Sequence, residues 1–394
     1  MPHSPKFLST VIFFILFTAG LILAAHRPLW NDELYTVVSS VHSLSYGKIF
    51  AGQVDEGNNC PLFYLMQKAL AGLAGYQVPA AWLQGQWDVR DFPSQILLRL
   101  VPDLFMSLAL TVIFYFFALR FSVVTAFLSL FLGLTNQMVW WYWVEARPYA
   151  LWVFLTAAQA VVFLEIILRS GEKRPVSGLW RLLAGVHLLL SLTVVFGAVQ
   201  AAVACALLWA WGHRRWTDYS LLLALPVLIT AGYYSQAPRY PLWFHQTPEQ
   251  LIRDSISRDR FYIFYLYLAA LAVFGLQRMT GRLGFFRGDA LLKAVPFAAL
   301  TAGMLLSAAA VLALLLGKAS ESHAGFPVSN RYFIYLAPVG VIAATLAIHS
   351  VWQSLDGKIW ARLIFLSGTG YLLAHRLWKV IPSIAGHYPG VFSP

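Results

Sequence analysis

Apolar runs long enough to cross a lipid bilayer recur along this chain from end to end, and they limit the folds open to it. The run LLKAVPFAALTAGMLLSAAAVLALLL, residues 291–316, is an example. A helical span needs roughly 20 apolar residues. An outer-membrane barrel needs shorter segments that alternate between apolar and polar residues, and this alternation is absent. Since 59% of the residues are hydrophobic and only 11% are charged, we predict an all-α polytopic membrane protein.

The runs predict about eleven transmembrane helices in a single domain that covers the whole chain. These spans are 7–25, 95–119, 122–143, 148–168, 179–195, 198–212, 219–234, 261–277, 291–316, 333–350 and 361–378, and a tail follows at 379–394. The two runs between 179 and 212 are short, so one long helix is the alternative to a hairpin. Basic residues flank the pair on both sides, which favours a hairpin that returns to the same side of the membrane.

The segment 26–94 is predicted to form a long first loop on the outer side. Its apolar stretch 61–76 is too short for a span and carries Lys68 in its middle, which is typical of an interfacial helix. The first run, 7–25, exceeds the roughly 7 to 15 residues of a signal-peptide core. We therefore interpret it as a retained anchor and not as a cleaved signal peptide.

Charge placement predicts the orientation, because short cytoplasmic loops are rich in Lys and Arg. Basic residues cluster at Arg120, 169–174, 213–215, 278–293 and the turn with Lys358 and Arg362. With these clusters inside, most of the acids lie in loops on the outer side. The net charge of +11 then reflects anionic lipid and not nucleic acid, and no Gly-rich phosphate loop indicates a nucleotide.

Five sequence blocks follow one another at the predicted outer face. They are WNDELYT (30–36), NNCPLFYLMQ (58–67), LLRLVPDL (97–104), EARPYALWVFL (145–155) and SNRYFIYLAP (329–338). Together they resemble the C-type membrane glycosyltransferases of the GT-C fold, in particular the protein O-mannosyltransferases and the lipid A aminoarabinose transferases.

The resemblance implies an enzyme that transfers a sugar from a polyprenyl-phosphate carrier to an acceptor hydroxyl, by a direct displacement that inverts the anomeric carbon. The acceptor would be a glycolipid, a polysaccharide or a protein. In a bacterium the chain would lie in the inner membrane, with its active site facing the periplasm.

The first block contains two adjacent acids, Asp32 and Glu33. The resemblance implies that Asp32 is the general base and that Glu33 supports it. The structural alternative is that both carboxylates cap a following helix, since acids are favourable at the positive end of the helix dipole.

Three arginines lie at the predicted outer ends of spans, on the same face. A planar guanidinium group can bind two phosphate oxygens at once. Arg147, Arg331 and Arg99 are therefore candidates for binding the donor phosphate, with Tyr149 and Tyr332 beside the first two. The alternatives are snorkelling to the interface, or local pairs between Arg147 and Glu145 and between Arg99 and Asp103. A Tyr at this depth is also typical of the aromatic belt, as is the run 139–145, VWWYWVE.

The second block follows a further acidic patch, with Asp55, Glu56 and Asn59 as candidate donor, acceptor or metal contacts. Cys60 stands where the resembling families have the first of two prolines, which leaves the alignment of these acids open. A solvated turn is an equal alternative. Together with Asp32 and Glu33, the carboxylates of Asp55 and Glu56 are four oxygen ligands that suit a divalent cation such as Mg²⁺ or Mn²⁺, but no spacing demands one.

The competing class of protein is a multi-span transporter or lipid flippase. Such proteins place ionisable groups near the bilayer midplane. Here the acids cluster at one predicted face, which favours group transfer.

Overall fold

The computed structural model describes residues 4–54, 60–87, 90–210, 219–236, 333–355 and 359–388. Every regular element in these ranges is helical. The helices are α1 Pro5–His26, α2 Asn31–Tyr35, α3 Tyr46–Phe50, α4 Leu62–Leu73, α5 Ala80–Leu83, α6 Phe92–Arg120, α7 Val123–Leu134, α8 Gln137–Tyr142, α9 Tyr149–Gly171, α10 Ser177–Thr193, α11 Gly197–Ala210, α12 Leu225–Gln236, α13 Leu336–Ser354 and α14 Ile359–His387, with π-helical turns at Thr36–His42 and Ser220–Ala224.

Four of the described helices, α1, α6, α9 and α13, are long and apolar enough to cross a membrane. Five shorter apolar helices accompany them, among them α4, α7, α10 and α11. The prediction of an α-helical membrane protein with several spans is thus confirmed. The predicted spans 261–277 and 291–316 lie outside the described residues.

Helix α6 is the centre of the bundle and fixes the direction of its neighbours. It runs antiparallel to α1, because Gly20 lies against Asp103 and the carbonyl oxygen of Ala24 accepts a hydrogen bond from Arg99. A Cβ added at Gly20 would lie 1.7 Å from Asp103 Oδ1, so only glycine permits this close approach. Helix α9 runs parallel to α6, since Phe105 stacks near Phe154 and Arg120 pairs with Glu165 further along both helices.

The bundle therefore has two chemically distinct ends. We call the end that carries Asp32, Arg99 and Arg147 the Asp32 end, and the opposite end of α6 and α9 the Arg120 end. At the Arg120 end, Arg120 lies 2.5 Å from Glu165 and 3.2 Å from Glu172. These ion pairs tie the carboxyl ends of the two parallel helices together.

The predicted span 122–143 is not one helix. Helix α7 ends at Leu134, and Asn136 adopts an extended conformation from which its side chain accepts a hydrogen bond from the Met138 N–H, 3.0 Å away. This side-chain bond starts α8 in place of a continued α7. The indole of Trp140 donates to the carbonyl of Leu134 at 2.6 Å, which satisfies a group that the break exposes.

The pair of short runs between 179 and 212 forms two helices, α10 and α11, and not the one long helix that was the alternative. The break falls at Val194, whose backbone is extended. His187 is fully buried and lies 3.0 Å from the Gln159 amide and 3.1 Å from the carbonyl of Leu222. It is a packed polar residue, as its place in an apolar run predicts.

The stretch 61–76 contains the helix α4, and its place at the membrane interface stays a prediction. The amide of Gln67 donates to the carbonyl of Leu98 at 2.6 Å, and Lys68 donates to the carbonyl of Val41 at the same distance. These bonds fasten α4 to the start of α6 and to the π-helical turn after α2. The loop therefore packs on the Asp32 end.

The last helix, α14, continues to His387, whereas the sequence assigned residues 379–394 to a tail. Ser383 accepts a hydrogen bond from Gln137 at 2.5 Å, and the hydroxyl of Tyr388 donates to the carbonyl of Trp140 at 2.5 Å. Because residues near the carboxyl end of α14 bind α8, the predicted tail is part of the bundle up to Tyr388.

The orientation of the two ends is tested by cysteine labelling in intact cells with a membrane-impermeant reagent. We expect Gln86→Cys, in the loop at the Asp32 end, to be labelled, and Gly178→Cys, beyond the Arg120 end, to be labelled only after the membrane is opened. A Cβ at Gly178 meets no atom within 4 Å. The native cysteines, Cys60 and Cys205, are both buried, which keeps the background low. The opposite labelling pattern would invert the orientation.

Candidate functional site

The two acids of LWNDELYT occupy the first turn of α2, a five-residue helix. Successive residues of a helix point about 100° apart, and here this difference separates their environments. The side chain of Asp32 is 35% exposed, whereas the side chain of Glu33 is completely buried. The two carboxylates are therefore suited to different tasks.

Glu33 is held by four hydrogen bonds. Its Oε1 atom accepts from Nε of Arg99 at 3.0 Å and from the backbone N–H of Ala146 at 2.7 Å. Its Oε2 atom accepts from Nη2 of Arg99 at 2.6 Å and from the N–H of Trp30 at 3.2 Å. The bond to Trp30 realises the capping role that the sequence offered as an alternative, while the other three join α2 to α6 and to the segment before α9.

Arg99 is as fully buried as Glu33, and all five of its N–H donors are used. Besides the two bonds to Glu33, Nη1 donates to the carbonyls of Ala24, at 3.2 Å, and Arg27, and Nη2 donates to the carbonyl of Pro28 at 2.9 Å. No donor remains for a phosphate, so the prediction that Arg99 binds the donor phosphate is corrected. Its role is to fix the chain where α1 ends.

The buried pair determines the charge state of Glu33. Burial alone raises the pKa of a carboxyl group, but the positive charges of Arg99 and Arg27 and the hydrogen bonds from Arg99 and Ala146 act in the opposite direction and prevail. The pKa of Glu33 consequently lies below its ordinary value, and the side chain is an anion at neutral pH.

Asp32 pairs with Arg147, whose Nη1 atom lies 2.7 Å from Asp32 Oδ2. The Arg147 side chain is only 9% exposed, and its guanidinium carbon lies 5.6 Å from the centre of the Tyr149 ring. Tyr149 is itself buried and packs edge-on against Tyr142. Tyr149 thus covers one side of the Arg147 guanidinium, and the partly exposed Asp32 carboxylate is its more accessible neighbour.

The contacts of Asp32 and Glu33 bring three of the five sequence blocks together at the Asp32 end, and a fourth, NNCPLFYLMQ, joins them through the bond from Gln67 to the carbonyl of Leu98. WNDELYT contacts LLRLVPDL through Glu33 and Arg99, and it contacts EARPYAL twice, through Glu33 with Ala146 and through Asp32 with Arg147. The two adjacent acids thus contact two adjacent residues, Ala146 and Arg147. The contact of Glu33 is buried, and the contact of Asp32 is accessible.

Both arginines pair with acids that are distant in the chain. Arg147 pairs with Asp32, and Arg99 pairs with Glu33 and not with Asp103. Asp103 instead accepts from the indole of Trp143 at 3.0 Å and from Ser107 at 3.3 Å. The partners are far apart in the chain, and short-range spacing rules do not reach them.

The remaining candidate residues lie outside the described residues: Arg331, Tyr332, Asp55, Glu56 and Asn59. Their roles stay predictions. Within the described ranges, no group of three or more His, Cys, Asp or Glu side chains could hold a metal ion. Because two of the four predicted oxygen ligands are not among those residues, the divalent-cation prediction also stays open.

Side chains of the aromatic run VWWYWVE pack inside the bundle. Trp143 is buried against Asp103. Trp141 donates from its indole to Ser383 at 3.2 Å, and its carbonyl accepts from Arg27 and from His387, each at 3.2 Å. Sequence reasoning missed this junction between α8, α14 and the end of α1, since nothing local in the chain indicates it.

In comparisons with known proteins, no family model, no curated protein and no solved structure matches this chain. The residues at the Asp32 end, and the sequence blocks that they belong to, are therefore the basis for the function proposed below.

Proposed function

We propose that the chain is an integral-membrane glycosyltransferase of the GT-C type, with about eleven spans. It would move a sugar from a polyprenyl-phosphate carrier to an acceptor hydroxyl on the outer face of a bacterial inner membrane. The observation that carries the proposal is the pair of Asp32 and Arg147, a partly exposed carboxylate beside a nearly buried guanidinium at one end of the bundle.

The chemistry of this transfer needs those two groups. Polyprenyl phosphate leaves as a stabilised anion, so its departure needs little help from an acid. The acceptor hydroxyl does need a base, which must reach it directly or through one water molecule. Among the acids of α2, Asp32 has the exposure for this contact, while Glu33 is sealed off and positions its neighbours.

The guanidinium of Arg147 supplies a positive charge that attracts the leaving phosphate. A cation in a water-poor setting stabilises a developing anion more strongly than one in bulk water. Arg331 and Tyr332, in the SNRYFIYLAP block, would complete this phosphate site. Phe333 and Tyr335 of that block are buried, and Tyr335 stacks on Trp152 of α9 at 5.1 Å between ring centres. That contact supports a place for the block near the start of α9.

Removing the proposed phosphate ligands should weaken donor use. We expect Arg147→Ala and Arg331→Ala each to lower the apparent affinity for a polyprenyl-phosphate sugar by the equivalent of a few kcal/mol. The measurement is sugar transfer by purified protein as donor concentration is varied. Arg174→Ala, an exposed arginine beyond the Arg120 end, is the matched control and should behave as the parent.

The proposal is tested independently in cells by extracting the lipid-linked sugars. A strain without the protein should accumulate a polyprenyl-phospho-sugar, and the parent sequence should clear it while Arg147→Ala should not. Unchanged lipid-linked sugars in that strain, together with parent-like donor affinity in both arginine variants, would refute the assignment.

A further inference from the structure

We propose that the ion pair between Asp32 and Arg147 is a latch that the donor phosphate opens, so that Asp32 becomes a base only after donor has bound. This inference rests on the proposed function and concerns the order of events within that site. In the unliganded protein the prospective base and the prospective phosphate ligand hold each other, 2.7 Å apart. A phosphate that takes Arg147 must compete with the carboxylate already there.

The surroundings of the pair decide which partner moves. Arg147 is held in place by its neighbours: Tyr149 covers its guanidinium, the N–H of Ala146 is bound by Glu33, and its own backbone N–H donates to the carbonyl of Glu145 at 2.6 Å. Asp32 is a short side chain with about a third of its surface exposed. Rotation of Asp32 needs no change in the backbone, whereas movement of Arg147 would disturb the buried bond from Ala146 to Glu33.

Charge balance through the reaction fits a latch that resets itself. The donor phosphodiester carries one negative charge when it displaces Asp32. As the acceptor oxygen bonds to the anomeric carbon, its proton passes to the Asp32 carboxylate, and the electron pair of the broken sugar–oxygen bond leaves with polyprenyl phosphate. The product phosphate thus gains a negative charge and stays on Arg147, while neutral Asp32 does not compete for it. When Asp32 gives its proton to water, its carboxylate regains Arg147 and helps to expel the product.

The latch predicts that loss of the Asp32 charge should improve phosphate binding. For Asp32→Asn we expect purified protein to bind polyprenyl phosphate about tenfold more tightly than the parent, the equivalent of one charge-assisted hydrogen bond. Binding is measured in detergent by ligand-dependent change in tryptophan fluorescence and by the shift in thermal unfolding midpoint. Asp32→Ser provides a second variant without the charge, and it should bind more tightly as well.

The control separates the latch from a simple loss of negative charge. Asp91 is an acid at the same end of the bundle, where it caps α6 through Ser94. Asp91→Asn should change polyprenyl phosphate binding much less than Asp32→Asn. Equal effects in the two variants, or unchanged or weaker binding in Asp32→Asn, would overturn the latch. The same tightening with vesicles of phosphatidylglycerol would also overturn it, because the competing anion would then be a bulk lipid headgroup.

The outcomes separate this inference from the function on which it rests. An Asp32→Asn protein that is inactive but binds phosphate no more tightly keeps the glycosyltransferase and removes the latch. One that binds phosphate more tightly yet transfers sugar normally keeps Arg147 as the phosphate ligand and removes Asp32 as the base.

Discussion

Asp32→Asn is expected to lower sugar transfer by roughly 10²- to 10⁴-fold, the range typical of lost general acid-base catalysis. Asparagine preserves the size of the side chain and can still accept a hydrogen bond from Arg147, but it cannot take a proton from the acceptor hydroxyl. Donor should still bind, and more tightly if the latch exists, so the loss should appear in turnover. The measurement is transfer by purified protein at saturating donor, with acceptor varied.

Two controls make this result specific. Asp91→Asn removes an acid from the same end without touching the pair with Arg147, and it should retain near-parent turnover. The configuration of the product supplies the second control, because a single displacement opposite the leaving phosphate inverts the anomeric carbon. A nearly active Asp32→Asn enzyme, or a product that retains the donor configuration, would remove Asp32 from the role of base.

How far the sequence predicts the molecule depends on the range of the interaction concerned. Helices α1, α6 and α9 follow from composition and length alone, since each must satisfy its backbone groups within the bilayer. The break between α7 and α8 was not predicted, because only the short polar stretch 135–137 separates two apolar runs and one side chain, Asn136, decides where the new helix begins. Likewise, hydropathy ends the last span near 378, while contacts of Ser383 and Tyr388 with α8 extend α14.

In the site, too, the sequence predicts the local features and does not predict the long-range contacts. Motif order places Asp32, Arg99 and Arg147 at one end, and the structure brings all three to that end. Their pairing was not predictable, because the hydrogen bonds from Arg99 to Glu33 span 66 residues and helix-spacing rules consider only neighbours three or four positions apart. The packing of three separate segments decides which of the two adjacent acids pairs with which arginine.

The largest effect on stability is expected from Glu33→Gln. The change leaves the charge of Arg99 buried without a carboxylate, and one of the two oxygen positions becomes an NH₂ group that meets donors. Breaking a buried ion pair on one side typically destabilises a protein by about 3 to 5 kcal/mol. The thermal unfolding midpoint in detergent should fall clearly. Glu172→Gln, which alters an accessible pair at the Arg120 end, should leave the midpoint nearly unchanged.

Two further measurements separate the loss of the ion pair from general disruption. Replacing both partners, Glu33→Leu with Arg99→Met, should destabilise less than the sum of the two single changes, because no buried charge is then left unpaired. The double variant should not reach the parent, since the carbonyls of Ala24, Arg27 and Pro28 lose their donor. Additive losses would show that Glu33 and Arg99 do not stabilise each other.

The pH dependence of the folding stability tests how the Glu33 carboxylate contributes to that stability. Because the folded-state pKa of Glu33 lies below its ordinary value, the folded protein holds the anion more firmly than the unfolded chain does. Its stabilisation is therefore fully present above the ordinary glutamate pKa of about 4.3 and is lost as pH falls through the lower folded value. The parent should lose stability through this acidic range, and Glu33→Gln should lose less of it. A parent and variant whose midpoints fall in parallel as the pH is lowered would mean that Glu33 is not the anion that closes the Asp32 end.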